Sequence, residues 1–178
     1  MNIYKKHCKP TLIITAALLT LALIFCLSRP QSAQDGLRES TGITAPSDSL
    51  IYSRSSNSMS TEQYALLSFS SEQTKDILSN QTLFHECSQS TAVCPSQWID
   101  ASDNATAPHP ASNRSDYTPA QQAIAEETNK SPTKCTFIAW ASDNQKLSAD
   151  TALREATTKK TFCINPQTGH AQYAYLKL

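Results

Sequence analysis

The chain has 178 residues, with 15 basic and 15 acidic side chains and only three glycines. That length suits one domain with appendages, and zero net charge offers a nucleic-acid partner no basic face. Gly36, Gly42 and Gly169 are too scattered for a phosphate-cradling loop, a dinucleotide fingerprint or a Gly-x-Ser-x-Gly elbow.

Residues 1–10 form a basic tail with Lys5, Lys6 and Lys9 and no acid. Thr11 to Leu27 then runs with nothing more polar than Thr11, Thr15, Thr20 and Cys26. As a helix this stretch would reach about 25 Å, the short end for crossing a bilayer. Positive charge ahead of it keeps the N-terminus cytoplasmic and sends the rest outside. The run is longer than a cleavable core of about 7–15 apolar residues. Its small-residue exit, Gln31-Ser32-Ala33, opens with a bulky side chain, and Phe25 is too large to precede a lipidated Cys26. We therefore expect an uncleaved transmembrane signal-anchor at 11–27 that takes the lipid bilayer as partner. Cleavage would instead release a secreted soluble domain.

Residues 28–60 are rich in Ser, Thr, Gln and Pro, including Ser53-Arg54-Ser55-Ser56-Asn57-Ser58. Such a stretch buries too little apolar surface to offset its ordering entropy and reads as a flexible stalk. The extracytoplasmic domain is placed at 61–178, with a polar loop at 101–117. Within it, Tyr64 to Phe69 reads as a strand and Ser71 to Leu78 as a short helix. Thr118-Pro119-Ala120-Gln121 opens a second helix, since Thr118 caps, Pro119 suits the first turn and Gln121 closes the capping box. That helix should run to about Thr128 with Ala120, Ala123, Ile124 and Glu127 along one side. Cys135 to Ala141 and Thr158 to Asn165 are dense in β-favouring residues. Pro166-Gln167-Thr168-Gly169 makes a hairpin turn into an alternating strand over Ala171 to Leu178. The simplest assembly is α+β: a small three-strand antiparallel meander packed with one or two short helices.

Six cysteines divide by position. Cys8 and Cys26 precede the exported part, leaving Cys87, Cys94, Cys135 and Cys163 for two disulfides in an oxidising compartment. Three pairings are possible, of which Cys87–Cys94 and Cys135–Cys163 are favoured. His85 stands beside Cys87, yet the gap to Cys94 is not that of a zinc knuckle, and we expect no metal or cofactor. No Cys-x-x-Cys is present, and paired cysteines leave His85, His109 and His170 no free thiol to activate. Ser131-Pro132-Thr133-Lys134 imitates a Ser-x-x-Lys motif, but Pro132 opposes the helical turn that the lysine needs. Asn80, Asn104, Asn113 and Asn129 open Asn-x-Ser/Thr triplets in a chain where Ser and Thr are abundant. With no catalytic constellation, the candidate contact residues are Trp98, Trp140, Tyr173 and Tyr175, the two tyrosines sharing one strand face.

Cys135-Thr136-Phe137-Ile138-Ala139-Trp140-Ala141, followed by Thr161-Phe162-Cys163-Ile164-Asn165-Pro166-Gln167-Thr168-Gly169, resembles the end of some bacterial type IV pilin-like and pseudopilin-like proteins. The resemblance implies a membrane-embedded N-terminal helix, an outward antiparallel sheet and assembly into a fibre or secretion system. Where a prepilin has Gly, Phe and a following Glu, this chain has Lys9, Pro10 and Ile14. The leading expectation is a single-pass, non-catalytic binding or assembly module that meets an envelope protein. A pilin-like subunit and a small envelope hydrolase are the alternatives.

Overall fold

The computed structural model describes residues 32–57, 60–89, 91–102, 114–141, 147 and 152–178. The basic tail, the 11–27 segment, Cys8, Cys26, and Asn104, His109 and Asn113 of the polar loop lie outside these residues.

Three helices start on the same reciprocal cap. In α1, Ala33–Thr41, the Ser32 hydroxyl accepts from the Asp35 amide at 3.1 Å while the Asp35 carboxylate accepts from Ser32. Gly42 ends this helix at φ +74°, its amide donating to the Arg38 carbonyl at 2.8 Å. In α2, Ser71–Ser79, the partners are Ser70 and Gln73. In α3, Pro119–Glu127, they are Thr118 and Gln121, with Pro119 in the first turn. A fourth helix, α4, is a single turn at Ala152–Glu155.

The strands are β1 Leu50–Asn57, β2 Thr61–Ser68, β3 Ile99–Asp100, β4 Lys134–Trp140, β5 Thr158–Ile164 and β6 His170–Lys177. They form one antiparallel sheet in the order β1-β2-β6-β5-β4-β3. The expected meander β4-β5-β6 is its centre. The β1–β2 hairpin adds to β6 on one side, and β3 borders β4 on the other.

Directly opposed residues of paired strands share a face, so register fixes two cores. On the first face lie the rows Ala65, Tyr173, Phe162 and Leu67, Ala171, Ile164. Ala33 and Leu37 of α1, Ile77 of α2, and Leu83 and Phe84 cover them. On the second face Leu66, Gln172, Cys163 and Cys135 make one row, with Phe137 and Ala139 in neighbouring rows. Ala152, Ala156 and Leu147 pack on Phe137 and Ala139, while Ala101 covers the cysteine pair. The buried Thr128 hydroxyl donates to Gln172 Oε1 at 3.0 Å and so satisfies a polar group inside this second core.

The expected fold class is corrected at two points. First, the sheet has six strands rather than three, and helices cover both of its faces. Second, residues 32–57 are not a stalk but α1 and β1. A few apolar side chains suffice there: Ala33 and Leu37 are fully buried, and Thr41 Oγ1 donates to the Leu37 carbonyl at 2.7 Å. The serines of β1 sit on an edge strand, where short polar side chains meet water without penalty. Among the described residues no helix is long and apolar enough to cross a membrane, and the expected membrane helix at 11–27 lies outside them. The α3 face is also displaced from expectation, because Ala125 and Thr128 point inward while Ala120 and Ala123 are exposed.

The four cysteines close two disulfides, Cys87–Cys94 and Cys135–Cys163. Cys135 and Cys163 stand directly opposite across β4 and β5, with Cα atoms 4.1 Å apart. Cys87–Cys94 ties the turn His85–Ser88, which carries Cys87, to the segment that follows it.

Candidate functional site

Lys160 lies mid-strand on the first face of β5, opposite Tyr175 of β6 and Ile138 of β4. Register puts Trp140 one row further along that face. The ammonium stands 5.7 Å from the Trp140 ring centre and 5.6 Å from that of Tyr175, within the range of cation–π attraction. Its Nζ donates to Glu86 Oε1 at 2.5 Å and to Ser40 Oγ at 2.6 Å. Three distant pieces of chain therefore meet on one lysine: the end of α1, the turn His85–Ser88, and the sheet. Lys160 and Glu86 side chains are 17% and 23% exposed, so water screens their attraction less than that of a surface pair.

Tyr173 is the first correction among the contact residues. It is fully buried against α1, and burial raises its phenol well above the ordinary range. The Ser40 hydroxyl opposes that shift, while the charges of Glu86 and Glu39 add to it. Alternation along β6 puts Tyr173 and Tyr175 on one face as expected, but α1 covers only the former. Trp98 is half-buried, donating through Nε1 to the Asn80 carbonyl at 3.1 Å and meeting Phe162 edge-on at 6.4 Å. Trp140 and Tyr175, also half-buried, are brought together by Lys160. Lys160 and Glu86 themselves escaped the sequence reading, since 74 residues separate them and no local spacing marks the pair.

A second cluster lies on the opposite face over β1 and β2. Asp116 Oδ2 accepts from Tyr52 at 2.5 Å and from Arg54 Nη1 at 2.6 Å, while Oδ1 accepts from Arg114 Nε at 3.3 Å. The hydrogen bonds from Tyr52 and Arg54 hold this carboxyl well below the usual range. Arg114 stacks over Tyr64 at 4.2 Å, and Tyr52 meets Tyr117 edge-on at 4.8 Å. Burial pushes the Tyr117 phenol up to about 12. The cluster fastens the β1 edge to the segment entering α3, and Gln121 Nε2 adds a bond to the Ile51 carbonyl at 3.2 Å.

A third cluster joins the end of α3 to the β5–β6 turn. Glu127 Oε1 accepts from Asn165 Nδ2 at 2.8 Å and from Thr168 Oγ1 at 2.5 Å, and Oε2 lies 3.0 Å from His170 Nδ1. An acid, an imidazole and a hydroxyl thus converge, the kind of set a hydrolase would need. However, Thr168 gives its proton to Glu127, and its oxygen accepts from the His170 backbone amide at 3.3 Å. The hydroxyl is not aimed at the imidazole for activation, and the three groups hold the turn. Burial raises the Glu127 pKa, but hydrogen bonds from Thr168, His170 and Asn165 outweigh it and leave a net lowering. A carboxyl whose folded pKa is depressed adds stability above its unfolded value, lost as pH falls through the folded one. Urea titrations across pH should accordingly show wild-type stability falling below pH about 4.5. Glu127→Gln should cost about 1 kcal/mol at neutral pH and flatten that acid limb.

Other sequence motifs resolve simply. Ser131 to Thr133 is a turn, and Lys134 Nζ pairs with Asp100 Oδ2 at 3.1 Å, so this lysine serves no serine. Asn129 spends its amide on the Ala125 carbonyl at 2.9 Å, whereas Asn80 is exposed. Among the described residues no group of three or more His, Cys, Asp or Glu side chains could hold a metal ion. No family model, curated protein or solved structure matches the chain. The residues carrying the pilin-like resemblance form β4, β5 and the following turn.

Proposed function

We propose that the chain is a non-catalytic binding or assembly module displayed at the cell envelope, with Trp140, Lys160 and Tyr175 as its contact strip. The observation that carries this reading is the grouping of two half-buried aromatic rings around one paired cation. Trp and Tyr are the side chains that most often anchor protein interfaces, since they bury large area at little entropic cost. Because Glu86 neutralises Lys160, a partner covering the strip need not strip water from a lone charge. Leu178, 72% exposed, adds apolar surface at the same end of the sheet, its amide bonded to the Thr157 carbonyl at 2.9 Å. The apolar segment 11–27, with Lys5, Lys6 and Lys9 before it, supports insertion into a bilayer with residues 28–178 outside.

A membrane-impermeant amine cross-linker applied to intact cells tests both parts. Wild-type chain should form adducts with an envelope protein, and the double variant Trp140→Ala, Tyr175→Ala should lose them about tenfold or more. The variant's cooperative melting must persist, which half-buried positions permit. Absence of wild-type adducts, or adducts unchanged by the substitutions, would sink the reading.

A further inference from the structure

We infer that the Cys87–Cys94 disulfide is a redox latch on the Trp140–Lys160–Tyr175 strip: a dithiol reductant opens it, frees Glu86 from Lys160 and turns a neutral strip into a cationic one. The functional consequence rests on reading that strip as a contact surface; the latch itself does not.

The two disulfides differ in access. Cys135 and Cys163 are fully buried beneath Ala101, between paired strands. Cys87 and Cys94 are half-buried at the edge of the first core. Thiol–disulfide exchange requires a thiolate to reach a sulfur, so the outer bridge reacts first in the folded chain. In that exchange one thiolate of the reductant attacks a sulfur of the pair and releases the other cysteine as a thiolate. The second thiol of the reductant then resolves the mixed disulfide. The reductant leaves as a disulfide, and the pair gains two electrons and two protons as Cys87 and Cys94 thiols.

Glu86 is adjacent to Cys87, which gives the bridge its leverage. The segment is anchored upstream by Phe84, fully buried, and downstream by Val93, which exchanges backbone bonds of 2.9 and 3.0 Å with Ala139. Between those anchors the backbone bonds among the described residues are local: Cys87 to Phe84 at 3.2 Å, Gln89 to Glu86 at 2.9 Å, and Ala92 to Gln89 at 3.2 Å. Isolated turns of this kind are marginal in water. Opening the bridge lets the turn His85–Ser88 loosen and carry the Glu86 carboxylate away. Lys160 keeps Ser40 and both rings, and then presents an unneutralised ammonium suited to an acidic partner.

The test uses the full chain in its oxidised form, with free thiols blocked first. It is exposed to graded dithiothreitol and then to an alkylating agent and an amine-acylating ester. Peptide mass spectrometry should find Cys87 and Cys94 alkylated at about tenfold less reductant than Cys135 and Cys163. Acylation of Lys160 should rise about tenfold in that same step, as the side chain is released from its contact with Glu86 and opened to the ester. Glu86→Gln should show the faster acylation without reductant. Simultaneous opening of both bridges, or unchanged Lys160 acylation after selective opening, overturns the latch. Neither readout involves a partner, so a failed latch and a failed contact reading are separable.

Discussion

Gly169→Ala is expected to lower stability by about 2–5 kcal/mol, combining a left-handed backbone penalty with overpacking. Gly169 sits at φ +73° at the end of the β5–β6 turn, where an alanine pays for its Cβ. The space is also taken. An added Cβ would stand 2.1 Å from the Phe69 carbonyl oxygen, a backbone atom with no rotamer to escape into, and 3.2 Å from Thr74 Oγ1. Retreat is blocked because the Phe69 amide donates to the Gly169 carbonyl at 2.9 Å, tying β2's exit to the turn. Relief would have to move the β2–α2 junction or the turn, and the turn is held by Asn165, whose carbonyl accepts from the Gly169 amide at 2.9 Å. Urea denaturation of the variant checks this. A loss under 1 kcal/mol would mean that the junction yields more easily than its bonds suggest.

Where the sequence is read correctly, neighbours along the chain carry the signal. The cap Thr118-Pro119-Gln121, the turn Pro166 to Gly169 and the alternation after it are settled within a few residues. The three strands of the central meander follow in sequence, so their pairing is legible as well. The β1–β2 hairpin is different, because β2 finds β6 more than a hundred residues later. Composition over 28–60 counts apolar residues without knowing that Ala33 and Leu37 can seat a short helix in a waiting core. An edge strand rich in serine looks the same as a tether until its partner is known.

The candidate sites follow the same division. Tyr173 and Tyr175 share a face, which alternation reveals, but only the placement of α1 tells that one is core and the other rim. Residue type marks Trp140 and alternation marks Tyr175, and Lys160 gives the two rings a common geometry. Arg54 and Asp116, 62 residues apart, fall in segments that composition assigns to a stalk and a loop. Pairing with β2 makes the first of these a strand, and the ion pair adds a tie from that edge to the segment before α3. Side-chain clusters built across long separations join β1 to α3, α3 to the β5–β6 turn, and α1 to β5. Each ties a helix or its approach to the sheet, so the polar surface of this small domain is part of its architecture.

Removing the Cys135–Cys163 bridge with the double variant Cys135→Ala, Cys163→Ala should cost about 3–4 kcal/mol on chain entropy alone, for a separation of 28 residues. Cys87→Ser, Cys94→Ser removes a bridge across a separation of 7 residues and should cost about 2–3 kcal/mol. The inner pair carries a further loss that the outer one lacks. Both sulfurs are wholly buried against Ala101, and two alanines leave a void between β4, β5 and residue 101. The buried Gln172 lies in the same row, opposite Cys163, and depends on that packing to keep its bond with Thr128. Equilibrium denaturation of both double variants would rank them. The inner variant should be the less stable by at least 1 kcal/mol; the reverse order would mean that the outer bridge constrains more than its own short loop.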